Sequence, residues 1–168
     1  MEWTDTLMLD ETTKSAGTQP SQAMDFTRVV ALEGLTLLCA QATSRTETLA
    51  ALELLRDFRA TGRRVVLCDT SQLIVGRQFG REVVESGAAQ MLISCGISGR
   101  EVGIGARDAG LDLSSVVVCP QPRAGGQVLA TRLAPGDMVL LLGIDSKTCD
   151  SVIAQLDQHF SERSALAA

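Results

Sequence analysis

Val65-Val66-Leu67-Cys68, a helix-patterned stretch over residues 76–86, and then Met91-Leu92-Ile93-Ser94-Cys95: this passage decides the fold. Each outer run is almost wholly apolar, as a strand covered on both faces must be, and Gly87 supplies the stop for the helix between them. Strands joined by a helical crossover lie parallel. Three more runs extend the theme outward, at residues 35–39, Val116-Val117-Val118-Cys119, and residues 138–143. The expected fold class is α/β, a doubly wound, mainly parallel, Rossmann-like sheet. In such sheets ligands gather where the strands end, so the carboxyl edge is the place to look for a site.

Upstream, residues 24–32 read as a first strand, Glu33-Gly34 as a tight turn and residues 35–39 as the antiparallel return, giving an N-terminal hairpin. Ser44-Arg45-Thr46-Glu47 is a capping box opening a helix that Gly62 terminates, and Ser98-Gly99-Arg100-Glu101 reads as a second box. Residues 124–134 give another helix, stopped by Pro135-Gly136, and residues 147–160 the last, with Val152, Ile153, Leu156 and Phe160 on its core face. The expected organisation is a mobile polar tail over residues 1–23, one domain over 24–160 and a frayed tail over 161–168.

The 168 residues are 45% hydrophobic, enough for one core without disulfides or metal. A net charge of −5, no tyrosine and a single tryptophan leave nothing to attract or stack nucleic acid. No apolar run reaches the length of a membrane span and the first residues lack the pattern of a signal peptide, so a cytoplasmic protein with five reduced thiols is expected.

The order of several stretches resembles the Mur ligase C-terminal domain. They are Ala50-Ala51-Leu52-Glu53, Gly62-Arg63-Arg64-Val65-Val66-Leu67 running to Asp69, and Gly80 and Gly87 around the second helix. Gly96, Gly105-Ala106-Arg107-Asp108-Ala109-Gly110 and Leu133-Ala134-Pro135-Gly136-Asp137-Met138-Val139-Leu140 continue the series. Within the family the order is most like that of the ligases that add D-alanyl-D-alanine to the peptidoglycan precursor. The resemblance implies an ATP-dependent amide ligase of cell-wall synthesis, in which this domain closes over a nucleotide held elsewhere. The chain departs from it in three places. No G-x-x-G-K-[ST] phosphate loop is present, residues 39–45 replace an Asp-Tyr-Asn-Pro type loop, and Leu142-Gly143-Ile144-Asp145 keeps only the glycine of a Lys-Gly-Ser-Arg segment.

The sequence therefore reads first as a stand-alone, degenerate relative that binds a protein partner or small ligand, with no cofactor of its own. ATP and Mg enter only in the alternative, where a nucleotide-binding chain completes a ligase in trans. A homo-oligomer is compatible with either. The surviving polar positions at the carboxyl edge are Gln41, Ser44, Asp69, Thr70, Gly96, Ser98, Gly143 and Asp145, and these are the expected ligand or partner site. Gly103-Ile104-Gly105 lies inside a helix and reads as close helix packing rather than a dinucleotide fingerprint. Cys39, Cys68, Cys95 and Cys119 end successive strands. Without C-x-x-C spacing they read as small apolar filler, as does Cys149. A small α/β enzyme with one of the strand-end thiols as nucleophile is the remaining alternative.

Overall fold

A computed structural model of the chain describes residues 27–71 and 75–168. The tail expected over residues 1–23, and the first residues of the expected opening strand, lie outside the described residues. The elements are β1 (Thr27–Leu32), β2 (Leu35–Ala40), α1 (Arg45–Asp57), β3 (Arg64–Asp69), α2 (Arg77–Glu85), β4 (Met91–Cys95), α3 (Gly99–Asp108), β5 (Val116–Cys119), α4 (Pro122–Arg132), β6 (Met138–Leu142) and α5 (Ser146–Ala167). They build one sheet in the order β1-β2-β6-β3-β4-β5, parallel except for the β1–β2 hairpin. The doubly wound α/β fold and its opening hairpin are thus as the apolar runs require.

The last strand in the chain lies near the middle of the sheet, between β2 and β3. All five residues of β6 are buried, as they must be with neighbours on both edges and helices on both faces. Two cores result. Leu37, Leu67, Ile93, Val139 and Leu141 face α4 and α5, while Leu38, Val66, Leu92 and Leu140 face α1, α2 and α3. Alternation along each strand divides the side chains between these two layers.

Ser44 caps α1 as expected, its side chain accepting from the Glu47 amide while Glu47 reaches back to the Ser44 amide at 3.1 Å. The second box does not form. Ser98 has φ −90° and ψ 4°, not the extended backbone that aims an N-cap side chain at the helix, and its side chain makes no capping bond. Glu101 instead accepts from Arg77 at 2.8 Å, tying α3 to α2. α4 starts at Pro122, earlier than the expected Ala124, because proline at the first helical position loses no hydrogen bond there.

The last helix runs further than the expected end at Phe160: α5 continues to Ala167. Ala165, Leu166 and Ala167 favour helix, the Arg163 guanidinium lies 5.6 Å from the Phe160 ring centre, and Ser164 donates to Glu33 at 2.5 Å.

At the edge where the parallel strands begin, buried Asp137 joins two turns. It accepts from the Arg63 amide at 2.8 Å, the Arg63 guanidinium at 2.9 Å and the Ala134 amide at 3.0 Å. Those bonds hold its carboxyl below the ordinary value, although burial, the largest single influence, acts the other way. The helices α2 and α3 meet backbone to backbone. Gly105 faces the Arg77 carbonyl and Gly80 the Val102 carbonyl, the close packing expected of Gly103-Ile104-Gly105.

Candidate functional site at the carboxyl edge

The parallel strands all end on one edge, and each is followed by the N-terminus of a helix. Chain leaving β2, β3 and β4 passes to the face of α1, α2 and α3, while chain leaving β6 and β5 passes to the face of α5 and α4. Crevices therefore open where neighbouring strands diverge: on either side of β6, and between β4 and β5.

The structure divides the eight expected site residues. Asp69, Thr70, Gly96 and Ser98 come together at the ends of β3 and β4. The Thr70 hydroxyl donates to the Cys95 carbonyl at 2.7 Å and accepts from the Ser98 amide at 3.1 Å, and Asp69 accepts from the Ser71 amide at 2.9 Å. Gly96 turns the chain with φ +92°. A Cβ there would meet the Thr70 and Ser71 hydroxyl oxygens at 2.8 Å each, so the backbone runs against this polar group.

Gln41, Gly143 and Asp145 form a second group between β2 and β6. Gln41 donates its side-chain amide to the Ser146 hydroxyl. Gly143 turns with φ +68°, donating its amide to the Ala40 carbonyl at 3.0 Å. Asp145 caps α5, accepting from the Thr148 amide at 3.0 Å, and the Thr148 side chain, together with that amide, holds its carboxyl below the ordinary value. Ser44 joins neither group, because its side chain is taken up by capping α1.

The β2–β6 crevice contains residues the sequence reading passed over. A cavity of about 130 Å³ is lined by Arg28, Cys39, Gln41, Ser146 and Cys149. The hairpin register places Arg28 opposite Cys39, and Arg28 pairs with Asp150 at 2.6 Å, beside Cys149 on α5. The neighbouring Cys149 thiol is the largest influence on the Cys39 thiol. With the Arg28 guanidinium it outweighs burial and brings the Cys39 pKa down to about 7, while Cys149 is pushed up. Cys68 behaves as filler, its thiol pushed up to about 12 by burial, and burial also raises Cys95 and Cys119.

Charge at this edge is also more positive than the strand-end residues alone indicate. Arg45, Arg77, Arg100, Arg123 and Lys147 each stand in the first turn of a helix, all exposed, where the helix dipole disfavours a cation. Arg45 pairs with Glu82 and Arg77 with Glu101. Among the described residues Arg100, Arg123 and Lys147 make no ion pair. Arg100 and Arg123 begin the helices that diverge from the β4–β5 crevice.

Elsewhere, a cavity of about 340 Å³ lies at the opposite edge beside Gly34, Arg59, Thr61 and Gly136, and one of about 280 Å³ lies between α4 and α5 around Gln127, Gln155 and His159. Both are wide shallow openings without a buried polar group directed into them. Among the described residues no group of three or more His, Cys, Asp or Glu side chains could hold a metal ion, and no helix is long and apolar enough to cross a membrane.

No family model and no curated protein sequence matches the chain. Solved structures do. A domain of a UDP-N-acetylmuramate:L-alanyl-gamma-D-glutamyl-meso-diaminopimelate ligase from Haemophilus ducreyi aligns over 78% of this chain and 96% of its own, with a TM-score of 0.56 and 14% identity. MurF from Acinetobacter baumannii aligns over 78% of this chain and 30% of its own, with a TM-score of 0.61 and 14% identity. The MurF ligase from Thermotoga maritima in complex with ADP aligns over 81% and 31%, with a TM-score of 0.53 and 16% identity. The chain thus spans about a third of the length of these two ligases. At such identities the likeness is one of fold, and the structural neighbours are Mur ligase chains, as the resemblance in sequence led us to expect.

Proposed function

We propose that this chain is a Mur-ligase-type C-terminal module that binds an anionic ligand or partner surface at its carboxyl edge, in the service of peptidoglycan precursor synthesis, and does not itself perform ligation. The observation that supports this reading is the likeness in fold to Mur ligase chains over 78% of this chain. The cations Arg100, Arg123 and Lys147 at that edge, which make no ion pair among the described residues, support the anionic character of the ligand, since exposed cations at helix starts are held against the dipole and gain most from a phosphate or carboxylate. The non-catalytic part of the reading rests on the absence of a G-x-x-G-K-[ST] loop from these residues. ATP and Mg then enter only with a nucleotide-binding partner, and the module's task in that assembly is to position the amine or carboxylate substrate. Among the ligases of this fold, the resemblance in sequence points most to those handling D-alanyl-D-alanine.

The test is an amide chemical-shift titration of the protein with UDP-N-acetylmuramoyl-tripeptide, with D-alanyl-D-alanine and with Mg-ADP. The expected result is a saturable, salt-sensitive response to the muramoyl peptide at Thr70, Gly96, Ser98, Gly143 and the first turns of α3 and α4. The protein alone should release no ADP from ATP. A response confined to the turns at Gly62 and Gly136, or amide formation coupled to ADP release by this chain alone, would overturn the proposal.

A further inference from the structure

The cavity between β2 and β6 brings two thiols, a guanidinium and two neutral polar side chains to a point where strands diverge, and the anion-binding reading above uses none of the thiols. Three elements hold the thiols and the guanidinium. β2 carries Cys39, β1 carries Arg28 in the facing position, and the first turns of α5 carry Cys149, whose amide bonds to the Asp145 carbonyl at 2.8 Å. The Arg28–Asp150 pair ties β1 to α5 across the crevice.

We infer that Cys39 and Cys149 form a reactive dithiol that reduces a small hydroperoxide in this cavity and closes to a disulfide. The Cys39 thiolate attacks one peroxide oxygen. An S–O bond forms, the O–O bond breaks, and the departing oxygen takes a proton from solvent to leave as water or an alcohol. Cys149 Sγ then attacks Cys39 Sγ, forming the S–S bond as the S–O bond breaks, and the hydroxyl leaves with the Cys149 proton as water. Two thiols have lost two electrons and the hydroperoxide has gained them.

The groups present suit each step. Arg28 stabilises the thiolate and the charge that develops on the departing oxygen, and Cys149 lines the same cavity as Cys39, which places the second thiol beside the first. The groups facing the Cys39 sulfur are Arg28, Cys149 and Asp150; the first two favour the thiolate, Asp150 and burial oppose it, and the balance lies near neutral pH. Size sets the substrate class. Cys39 is 6% and Cys149 4% exposed, and a cavity of about 130 Å³ admits hydrogen peroxide or a short alkyl hydroperoxide but no bulky disulfide. Cys95 and Cys119 provide an internal comparison. They also neighbour one another, at paired positions of β4 and β5, but the Cys95 sulfur packs among Gly125, Leu67 and Ile93 and burial raises both thiols.

The full chain, reduced and freed of reductant, is treated with hydrogen peroxide and, separately, with oxidised glutathione, and each cysteine is followed by peptide mass spectrometry. The expected result is a Cys39–Cys149 disulfide that dithiothreitol reverses, formed with peroxide at least about tenfold faster than any change at Cys68, Cys95 or Cys119. Glutathione should leave the folded protein untouched. Cys149→Ser should halt the reaction at a Cys39 sulfenic acid that dimedone captures, and Arg28→Gln, an exposed change that keeps the fold, should slow the wild-type reaction about tenfold and raise the pH at which it reaches half its rate. Oxidation of Cys95 or Cys119 as fast as Cys39, an unreactive Cys39 in the folded protein, or Arg28→Gln reacting like wild type would each overturn the inference. None of these outcomes bears on ligand binding at the rest of the edge.

Discussion

Replacing Gly80 with alanine tests the close approach of α2 and α3. A Cβ at this position would lie 2.0 Å from the Val102 carbonyl oxygen and 2.7 Å from the Ala106 amide nitrogen. Both obstacles are backbone of α3, so no side chain can move aside, and α2 and α3 must part by about 1 Å at their crossing, a gap that forfeits a quarter to a half of the dispersion energy of neighbouring contacts. Overpacking of this kind costs up to about 3 kcal/mol, and the higher helix propensity of alanine returns about 1 kcal/mol, which leaves a net loss of about 2 kcal/mol. In urea, with a denaturant slope of about 2 kcal/mol/M, the midpoint should fall by about 1 M. Gly76→Ala is the control, since among the described residues nothing lies within 4 Å of a Cβ there, and it should cost no more than about 1 kcal/mol, the preference for glycine over alanine at an N-cap. Gly105→Ala meets the Arg77 carbonyl oxygen at 1.9 Å on the same interface. The double variant should therefore lose less than the sum of the two, because one separation of the helices relieves both clashes. A Gly80→Ala midpoint at or above that of wild type would show that α2 and α3 are not held this close.

Asp137→Ala should cost about 1–3 kcal/mol in urea denaturation, because the Arg63 and Ala134 amides and the Arg63 guanidinium lose the buried carboxylate that joins their two turns. Because the carboxyl is held below its ordinary value, its stabilisation is complete above the unfolded-chain pKa of about 3.9 and is lost as pH falls through the lower folded value; Asp137→Asn should flatten stability against pH in that acid window alone. Ser44→Ala removes the capping bond to Glu47 and should lower stability by about 1 kcal/mol, seen as a shifted thermal midpoint with an unchanged far-ultraviolet spectrum. Asp145→Lys replaces the α5 cap with a cation against the helix dipole, so it should lower the thermal midpoint more than Asp69→Ala, which loses only a local bond to Ser71; equal midpoints would contradict the capping role.

How legible the fold was follows from where burial is complete. The runs that became β3, β4 and β6 have apolar neighbours above, below and beside them, and such strands declare themselves by unbroken apolarity. The place of β6 between β2 and β3 was not legible, since a buried run carries no mark of its neighbours. The C-terminal helix was misread for a related reason. Residues past Phe160 are exposed, so no apolar period announces the helix, and its extension depends on intrinsic propensity and on Glu33 from the hairpin turn. The second capping box failed because a motif of four residue types cannot reveal that the backbone at Ser98 is committed to the Gly96 turn and to Thr70.

The edge that holds the site was legible, but its chemistry was only half so. Strand ends mark the edge, yet a side chain there serves a ligand only if the loops do not use it first, and Ser44, Asp69, Thr70 and Asp145 are already engaged in caps and turns. The groups that escape such use were reachable by counting. A two-residue turn at Glu33-Gly34 fixes the register outward from Leu32 and Leu35, which puts Arg28 across from Cys39, and a cap at Asp145 puts Cys149 one turn into α5. What counting could not supply is that β6, not β3, stands beside β2. That adjacency alone brings the start of α5 over the end of β2, and it turns two cysteines that are filler by composition into the lining of one cavity beside a guanidinium. Asp145→Lys, which removes the cap at the start of α5 and so loosens the turn that carries Cys149, should therefore weaken the Cys39 peroxide reaction while leaving Cys95 and Cys119 as they were.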